Sequence, residues 1–188
     1  MPLLIAVQTQ LTRITILSKH SSMVSSSDID YLRRCVELAR HALEAGNPPF
    51  GSLLVNARGE ILHEDHNRTV TEGDVTLHPE LSLAKWAEKN LTLSERASAT
   101  IYTSGEHCPM CSAAHAYAGL GRIVYASSST QLGKWQKELG VKPGPVVSLP
   151  INQIVPGLSV DGPAPGLDEE VHELHRLRQA QLQTDKNP

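Results

Sequence analysis

Apolar side chains recur along the chain with two different periods, and the two periods separate predicted helices from predicted strands. Four apolar residues near the start lie three or four positions apart: Leu32, Val36, Ala39 and Leu43. This spacing gives a helix one buried face. A serine followed by acidic residues is a good N-terminal cap, so the helix is predicted to begin near Ser27-Asp28. It is predicted to end at Gly46-Asn47-Pro48-Pro49, because these residues do not continue a helix.

Shorter apolar runs predict the strands. Residues 52–55 and 60–63 flank a glycine-containing turn at residues 57–59, and this arrangement predicts a β-hairpin. The stretch 143–166 is rich in proline and glycine and is predicted to be a long surface excursion, in which Val146-Val147 begins a fifth strand. The remaining strands are predicted over 99–103 and 122–126, and the remaining helices over 78–90, 109–119, 131–139 and 167–183.

Strands that alternate with helices after an initial hairpin predict an α/β sandwich with helices on both faces of the sheet. The 188 residues fit one domain. We expect this domain to span residues 28–188, with the last predicted helix as a charged tail. Hydrophobic residues at 40% and charged residues at 20% are typical of a globular protein. No run of about 18 apolar residues, the length needed to cross a membrane, is present.

Residues 1–27 contain no Asp or Glu, several serines, and only Arg13 and Lys19 as fixed charges. This composition fits a flexible extension or an upstream start before Met23, and it also fits a transit segment poor in arginine. These alternatives stay open. The three cysteines of the chain do not make a disulfide framework, which favours a cytoplasmic protein.

The candidate chemistry lies in two short clusters, His78-Pro79-Glu80 and Cys108-Pro109-Met110-Cys111, each at a predicted loop-to-helix junction. One imidazole and two thiolates supply the three protein ligands of a catalytic zinc site, which leaves the fourth position to water. Two cysteines three positions apart at a helix N-terminus can face one metal ion, and the helix dipole favours their thiolate form. Glu80 lies two residues beyond His78 and can move the proton of the water. The sequence therefore predicts one Zn²⁺ per chain, held by His78, Cys108 and Cys111.

Three stretches resemble the cytidine deaminase-like superfamily, in the branch that holds guanine deaminases and tRNA-type adenosine deaminases. Residues 49–55 (PFGSLLV) are similar to P-F-G-A-V-I-V, residues 74–80 (DVTLHPE) to D-P-T-A-H-A-E, and residues 102–111 (YTSGEHCPMC) to Y-T-S-C-E-P-C-P-M-C. The combination of H-x-E with C-x-x-C is the signature of zinc deaminases. The chain departs from it at His107, where the family has proline, and at Pro79, where alanine is usual. The resemblance covers residues from about Asp28 to Ser127.

This resemblance implies a three-layer α/β/α sandwich with a central mixed sheet of about five strands. It implies that Asn67 hydrogen-bonds the substrate, that Glu80 is the catalytic proton shuttle, and that the chain forms a homodimer. The implied activity is hydrolytic release of ammonia from a purine base, a nucleoside or a related aminated heterocycle, as in guanine deaminases.

Three other functions stay open. The first is a tRNA adenosine deaminase with the same chemistry. A net charge of −3 disfavours it, because phosphate-backbone binding needs clusters of Lys and Arg. The second is a non-catalytic zinc module, which normally recruits four ligands and has no use for Glu80. The third is a thiol redox enzyme, which needs a metal-free C-x-x-C pair.

Other polar candidates are expected to be structural. Asp74 and Glu106 are expected to brace loops, and His115 to pack one turn beyond Cys111. For His107, both a substrate contact and simple packing stay open. The remaining expectations are burial for Cys35 and a solvated helix face for His172 and His175. Trp86 and Trp135 are expected to be packing or interface residues, and a place at the pocket rim also stays open for Trp135.

Overall fold

The structure, a computed structural model, describes residues 24–184. A five-stranded sheet lies between two layers of helices, which confirms the three-layer α/β/α prediction. The strands are β1 (Gly51–Val55), β2 (Ile61–His66), β3 (Thr100–Gly105), β4 (Arg122–Ser127) and β5 (Val160–Asp161). The helices are α1 (Ser26–Glu44), α2 (Pro79–Asn90), α3 (Leu93–Ser98), α4 (Pro109–Tyr117), α5 (Ser129–Glu138), α6 (Ile151–Ile154) and α7 (Leu167–Thr184).

The strands follow the order β2-β1-β3-β4-β5 across a mixed sheet. Strand β1 is antiparallel to both β2 and β3, whereas β3, β4 and β5 are parallel to one another. Successive side chains of a strand point to opposite faces. Accordingly, Leu53 and Tyr102 pack with α1 and α7 on one face, and Leu54 and Ile101 pack with α2 on the other.

Helix α1 has well-formed signals at both ends. The Ser25 hydroxyl accepts a hydrogen bond from the Asp28 amide, and the Asp28 carboxylate accepts one from the Ser25 amide, which completes a capping box. Its first helical residue is Ser26, close to the predicted start. At the other end, Gly46 adopts a φ of 86° and the Asn47 amide donates to the carbonyl of Ala42. This reversal is a Schellman motif, and it ends the helix where the sequence predicts.

The prediction for residues 143–166 was wrong in two respects. Val146 and Val147 are exposed and lie outside every strand, and the fifth strand is Val160–Asp161. The stretch is also not wholly a surface excursion, since it contains α6 and the fully buried residues Ile151 and Ala164. Local composition does not reveal this, because the residues are fixed by pairing with β4 and by burial under its side chains.

Helix α3 was not predicted. It buries none of its residues, so it lacks the apolar periodicity that identifies other helices. A capping box between Thr92 and Glu95 marks its start, and this was the only available sequence signal.

The expectation of a solvated face for His172 and His175 was wrong. The ring of His172 stacks on Trp135 of α5 with ring centroids 4.6 Å apart, and the ring of His175 meets Phe50 edge-on at 5.1 Å. Trp135 is itself buried and belongs to the core cluster of that sheet face, which confirms packing. Charged neighbours on α7 concealed this, because the indole that covers the two imidazoles comes from a distant part of the sequence.

The predicted extension over residues 1–27 lies outside the described part of the chain as far as residue 23, while residues 26 and 27 belong to α1. Between residues 24 and 184, every helix is too short or too polar to cross a membrane.

Candidate active site

The two sequence clusters meet where the N-termini of α2 and α4 approach each other. His78 is the N-cap residue of α2 and Cys108 is the N-cap residue of α4, each followed by proline in the first helical position. Proline is well tolerated there because the first amide groups of a helix have no intrahelical partner. Neither helix begins with a side-chain oxygen cap, and the imidazole of His78 and the thiol of Cys108 instead face each other, with Nδ1 3.7 Å from Sγ.

The donor atoms have the spacing that zinc requires. Nδ1 of His78 lies 3.7 Å from Sγ of Cys108 and 3.6 Å from Sγ of Cys111. Tetrahedral bonds of about 2.3 Å to sulfur and about 2.0 Å to nitrogen place such donors about 3.5 Å apart. Within residues 24–184, these three side chains form the only group of three or more potential metal ligands. One imidazole and two sulfurs, with no fourth protein donor in the group, fit a catalytic zinc site.

The pKa values of the two cysteines are shifted in opposite directions. Hydrogen bonding with Cys111 is the main cause that lowers the pKa of Cys108 to about 4, whereas the same interaction, together with burial, raises the pKa of Cys111. The bond to Cys108 also raises the pKa of His78. The site therefore stabilises a thiolate at Cys108, and thiolates are the form in which cysteine binds a metal.

Glu80 is buried beside this group without joining it. Its carboxylate is 5% exposed, with Oε2 3.6 Å from Sγ of Cys111 and Oε1 3.2 Å from the hydroxyl of Thr103. Burial raises the pKa of Glu80, against the opposing effect of the nearby His78. A carboxylate of raised pKa is suited to accept and return a proton near neutral pH. Sequence reasoning found Glu80 but missed Thr103.

Asn67 lies on the loop after β2, and it is 1% exposed. Its Oδ1 accepts hydrogen bonds from the amide and the hydroxyl of Thr69. Since this orients the carboxamide, Nδ2 is left as a donor, and no described residue accepts a hydrogen bond from it. The next residue, Arg68, donates its amide to the carbonyl of Leu77. That bond holds the Asn67 segment alongside His78.

Of the two alternatives for His107, the structure supports packing. Its ring is fully buried and meets the ring of His115 edge-on at 5.3 Å. His115 is also fully buried, and its Nε2 lies 2.8 Å from the carbonyl oxygen of Gly121. Burial lowers the pKa of both imidazoles. His115 is therefore a packing residue, as predicted.

The two acidic residues near the site brace loops, as predicted. Glu106 accepts hydrogen bonds from the amides of Ser129 and Ile151, so one carboxylate joins the starts of α5 and α6. Asp74 accepts from the amide and the hydroxyl of Thr76 in the loop that leads to His78. Cys35 is fully buried, as expected, and lies in the core away from the metal-ligand group.

The family described as the cytidine and deoxycytidylate deaminase zinc-binding region matches residues 25–127, more than half of the chain. The chain belongs to this deaminase family. Because the family is catalytic and binds zinc, a non-catalytic zinc module and a thiol redox enzyme lose their support.

Several proteins named as deaminases are similar to the chain in sequence. It is 32% identical over 123 residues to a probable cytosine deaminase of Schizosaccharomyces pombe, covering 65% of this chain and 74% of that protein. It is 36% identical over 101 residues to the guanine deaminase of Bacillus subtilis, covering 53% and 64%. It is 29% identical over 109 residues to a tRNA-specific adenosine deaminase of Haemophilus influenzae, covering 58% and 63%. For the last two, the matched segment spans slightly less than two thirds of the relative.

Solved deaminase structures share the fold. The guanine deaminase from Nitrosomonas europaea superposes with a TM-score of 0.64 at 23% identity, covering 84% of this chain and 86% of that one. A structure bound to 2,6-diaminopurine superposes with a TM-score of 0.65 at 23% identity, covering 84% of each chain. At these identities the likeness establishes the fold. The mixed five-stranded sheet predicted from the family resemblance is confirmed.

Proposed function

We propose that this deaminase hydrolyses the exocyclic amino group of a purine base, a nucleoside or a related aminated heterocycle, in the manner of a guanine deaminase. The observation that carries the proposal is the position of Glu80. Its buried carboxylate lies beside the group of His78, Cys108 and Cys111 and is not a fourth member of that group of potential metal ligands. A site with three protein ligands and an adjacent carboxylate of raised pKa is built to move protons.

The reaction replaces a C–NH₂ bond of the ring by a C–O bond. When bound by His78, Cys108 and Cys111, zinc supplies a Lewis acid that lowers the pKa of water. Glu80 accepts one proton from the attacking water and delivers it to the ring nitrogen. It then accepts the remaining proton of the added hydroxyl and delivers it to the amino group, so that the C–N bond breaks, ammonia leaves and a ring carbonyl remains. Thr103, within hydrogen-bond distance of Oε1, holds the carboxylate during these transfers.

Asn67 is proposed to bind the substrate. The Thr69 hydrogen bonds fix its Oδ1 and leave Nδ2 to donate. A buried amide donor suits a carbonyl oxygen or an unprotonated ring nitrogen of a heterocycle. A substrate that lacks such an acceptor leaves the donor unpaired, which gives the site a means of selection.

One observation favours a small heterocycle over tRNA: the net charge of −3 provides no general attraction for a phosphate backbone. The relatives do not separate the two substrates, since guanine deaminases and tRNA adenosine deaminases both occur among the sequence relatives and among the solved neighbours, and another solved neighbour binds 2,6-diaminopurine. The tRNA-specific adenosine deaminase and the cytosine deaminase among the relatives supply the competing substrates for the test.

The test is an ammonia-release screen of the zinc-loaded protein over guanine, 2,6-diaminopurine, adenine, cytosine, their nucleosides, pterins, triazines and an anticodon stem-loop. We expect turnover of a purine or a related small heterocycle, and its loss in Glu80→Gln with zinc content retained. Turnover of the stem-loop or of cytosine alone would reject the purine assignment. No turnover of any of these substrates would reject the proposed function as a whole.

We also propose that the enzyme is a homodimer and cytoplasmic. Helices α2 and α4 expose a shallow groove lined by Lys85, Glu88, Ala114 and Tyr117, and Tyr117 is 90% exposed. Opposite charges beside an apolar strip suit self-association, because a two-fold axis can pair each lysine with a partner's glutamate.

The three cysteines, with Cys35 and Cys111 buried and none in a disulfide, suit a reducing compartment. Sedimentation of wild type and Tyr117→Asp tests the dimer, and imaging of a full-length fusion tests the location.

A further inference from the structure

We propose that Asn47 is a positioning residue, whose buried carboxamide holds the loop that aims Asn67 at the substrate. This inference rests on the proposed function, because Asn67 is the substrate-binding residue in it. Sequence reasoning gave Asn47 only the role of ending α1. In the structure its side chain is 1% exposed and faces a loop more than twenty residues further along the chain.

The backbone of Asn47 is held rigidly from both sides. Its amide donates to the carbonyl of Ala42 at 2.8 Å, and the Gly46 amide donates to the carbonyl of Leu43 at 2.9 Å, which completes the Schellman motif. Two prolines follow, and each fixes its own φ. The carboxamide of Asn47 therefore projects from a fixed frame between α1 and β1.

This carboxamide hydrogen-bonds two successive residues of the loop. Its Oδ1 accepts from the amides of Val70 at 2.9 Å and Thr71 at 3.1 Å, and its Nδ2 donates to the Thr71 hydroxyl at 3.1 Å. Apolar packing contributes little here, since the Val70 side chain is 57% exposed and Thr71 is also exposed. Asn47 is thus the buried side chain that ties Val70 and Thr71 to the segment between α1 and β1, while Arg68 and Glu72 hydrogen-bond each other within the loop.

The segment between α1 and β1 also holds the loop at a second point, at Asn67 itself. The carbonyl of Phe50 accepts a hydrogen bond of 2.9 Å from the Asn67 amide. Between the two anchors lies the short turn in which Thr69 orients the Asn67 carboxamide. Loss of the Asn47 anchor removes the constraint on the far end of this turn and weakens the control over the direction of Nδ2, while the hydrogen bonds to Thr69 and Phe50 remain. A less well-directed donor binds the substrate more weakly, so the effect should fall mainly on KM.

The experiment compares Asn47→Ala and Asn47→Asp with a matched control. Asn56 makes the same kind of contact elsewhere, since its Oδ1 accepts from the amides of Arg58 and Glu60 in the β1–β2 turn. We expect Asn47→Ala to raise KM for the substrate about tenfold or more with a smaller change in kcat. Asn47→Asp keeps the acceptor and should recover part of the loss. Asn56→Ala should lower thermal stability without changing KM.

Two further measurements separate positioning from a general structural role. In an Asn67→Ala background, Asn47→Ala should add no further loss, because residues that act through one another are not additive. Hydrogen exchange should accelerate at the amides of Asn67, Val70 and Thr71 in Asn47→Ala and not in Asn56→Ala. An unchanged KM in an active Asn47→Ala enzyme, or full additivity with Asn67→Ala, would overturn the inference and leave the proposed function standing.

If the wild-type protein deaminates nothing, the proposed function fails on that result alone. The exchange measurement then decides the structural part of the inference. Unchanged exchange at Asn67 in Asn47→Ala overturns it, and accelerated exchange supports the positioning of Asn67 by Asn47.

Discussion

The hydroxyl of Thr103 lies 3.2 Å from Oε1 of Glu80, in a part of the site that solvent does not reach. The same hydroxyl lies 2.9 Å from the carbonyl oxygen of Gly105 and receives a hydrogen bond from Ser52. Its single proton can serve only one acceptor at a time. Thr103 can therefore donate to an ionised Glu80 or turn to Gly105 when Glu80 is protonated, which suits a carboxylate that alternates between the two states.

The first prediction concerns this pair. Thr103→Val keeps the shape of the side chain and removes the hydroxyl, so kcat should fall about three- to tenfold, the effect of one net hydrogen bond. Steady-state ammonia release and zinc analysis check this outcome. Thr103→Ser retains the hydroxyl and should keep most of the activity. Equal loss in the valine and serine variants would show that packing, and not the hydroxyl, accounts for the effect.

The second prediction concerns the metal. Purified protein should contain one zinc per chain, and chelation should abolish activity and lower Tm by about 5 °C or more, because a ligand that binds only the folded state stabilises it. Cys111→Ala should lose the zinc. Cys35→Ala, which alters a buried thiol outside the ligand group, should retain it. Zinc bound equally by both variants would refute the ligand assignment.

The third prediction concerns an ion-pair network far from the site. The two terminal nitrogens of the Arg122 guanidinium, Nη1 and Nη2, donate hydrogen bonds to the buried carboxylate of Asp28. Its third nitrogen, Nε, donates one to the buried carboxylate of Asp161. Arg122→Met leaves two buried carboxylates uncompensated, so it should lower the free energy of unfolding by about 3–5 kcal/mol. Urea denaturation measures this. The exposed pair of Arg58 with Glu60 is the control, since Arg58→Met should change stability by no more than about 0.5 kcal/mol.

The fourth prediction is a loss of stability in mild acid that depends on His175. Burial, with a smaller effect of His172, lowers the pKa of His175 to about 4. The unfolded chain binds this proton below about pH 6.5, so stability is full above that pH and decreases as the pH falls towards 4. The loss attributable to His175 at pH 5 should be about 2 kcal/mol.

Urea denaturation at pH 7 and pH 5 tests this dependence. His175→Phe should remove about 2 kcal/mol of the loss at pH 5, because a phenyl ring can occupy the same place beside Phe50 and Trp135 without titrating. The rest of the loss should remain, since burial also lowers the pKa of His107 and His115. His41→Gln, at an exposed position of α1, should leave the loss unchanged. An identical pH dependence in wild type and His175→Phe would contradict the assignment.

Acid should act on Asp28 in a lower pH window. Burial opposes ionisation of Asp28, but hydrogen bonds from Arg122, Tyr102 and Ser25 outweigh it and hold the pKa well below its usual range. Its contribution is therefore complete above about pH 4 and declines below that value. The two windows do not coincide, so the His175 effect can be measured separately.

The ligand set and most of the elements were predictable from the sequence for a local reason. His78 with Glu80, and Cys108 with Cys111, each lie within one turn of a helix N-terminus, so local spacing places the members of each pair close together. The packing of α2 against α4 then brings the two pairs to one site. Helices and strands with a buried apolar stripe were also predicted, because their apolar period is a local pattern in the sequence. Helix α3 buries no residue and was missed, although the capping box of Thr92 and Glu95 was present in the sequence.

The sequence by itself determined the chemistry: one imidazole, two sulfurs and a carboxylate at spacings that a helix start brings together. The tertiary structure alone decided what surrounds them. It paired β5 with β4 at residues 160–161, packed His175 beside Phe50 and Trp135, and directed Asn47 to a loop more than twenty residues away. Such contacts join residues distant in sequence, and their energy depends on burial and hydrogen-bond partners that no local period encodes.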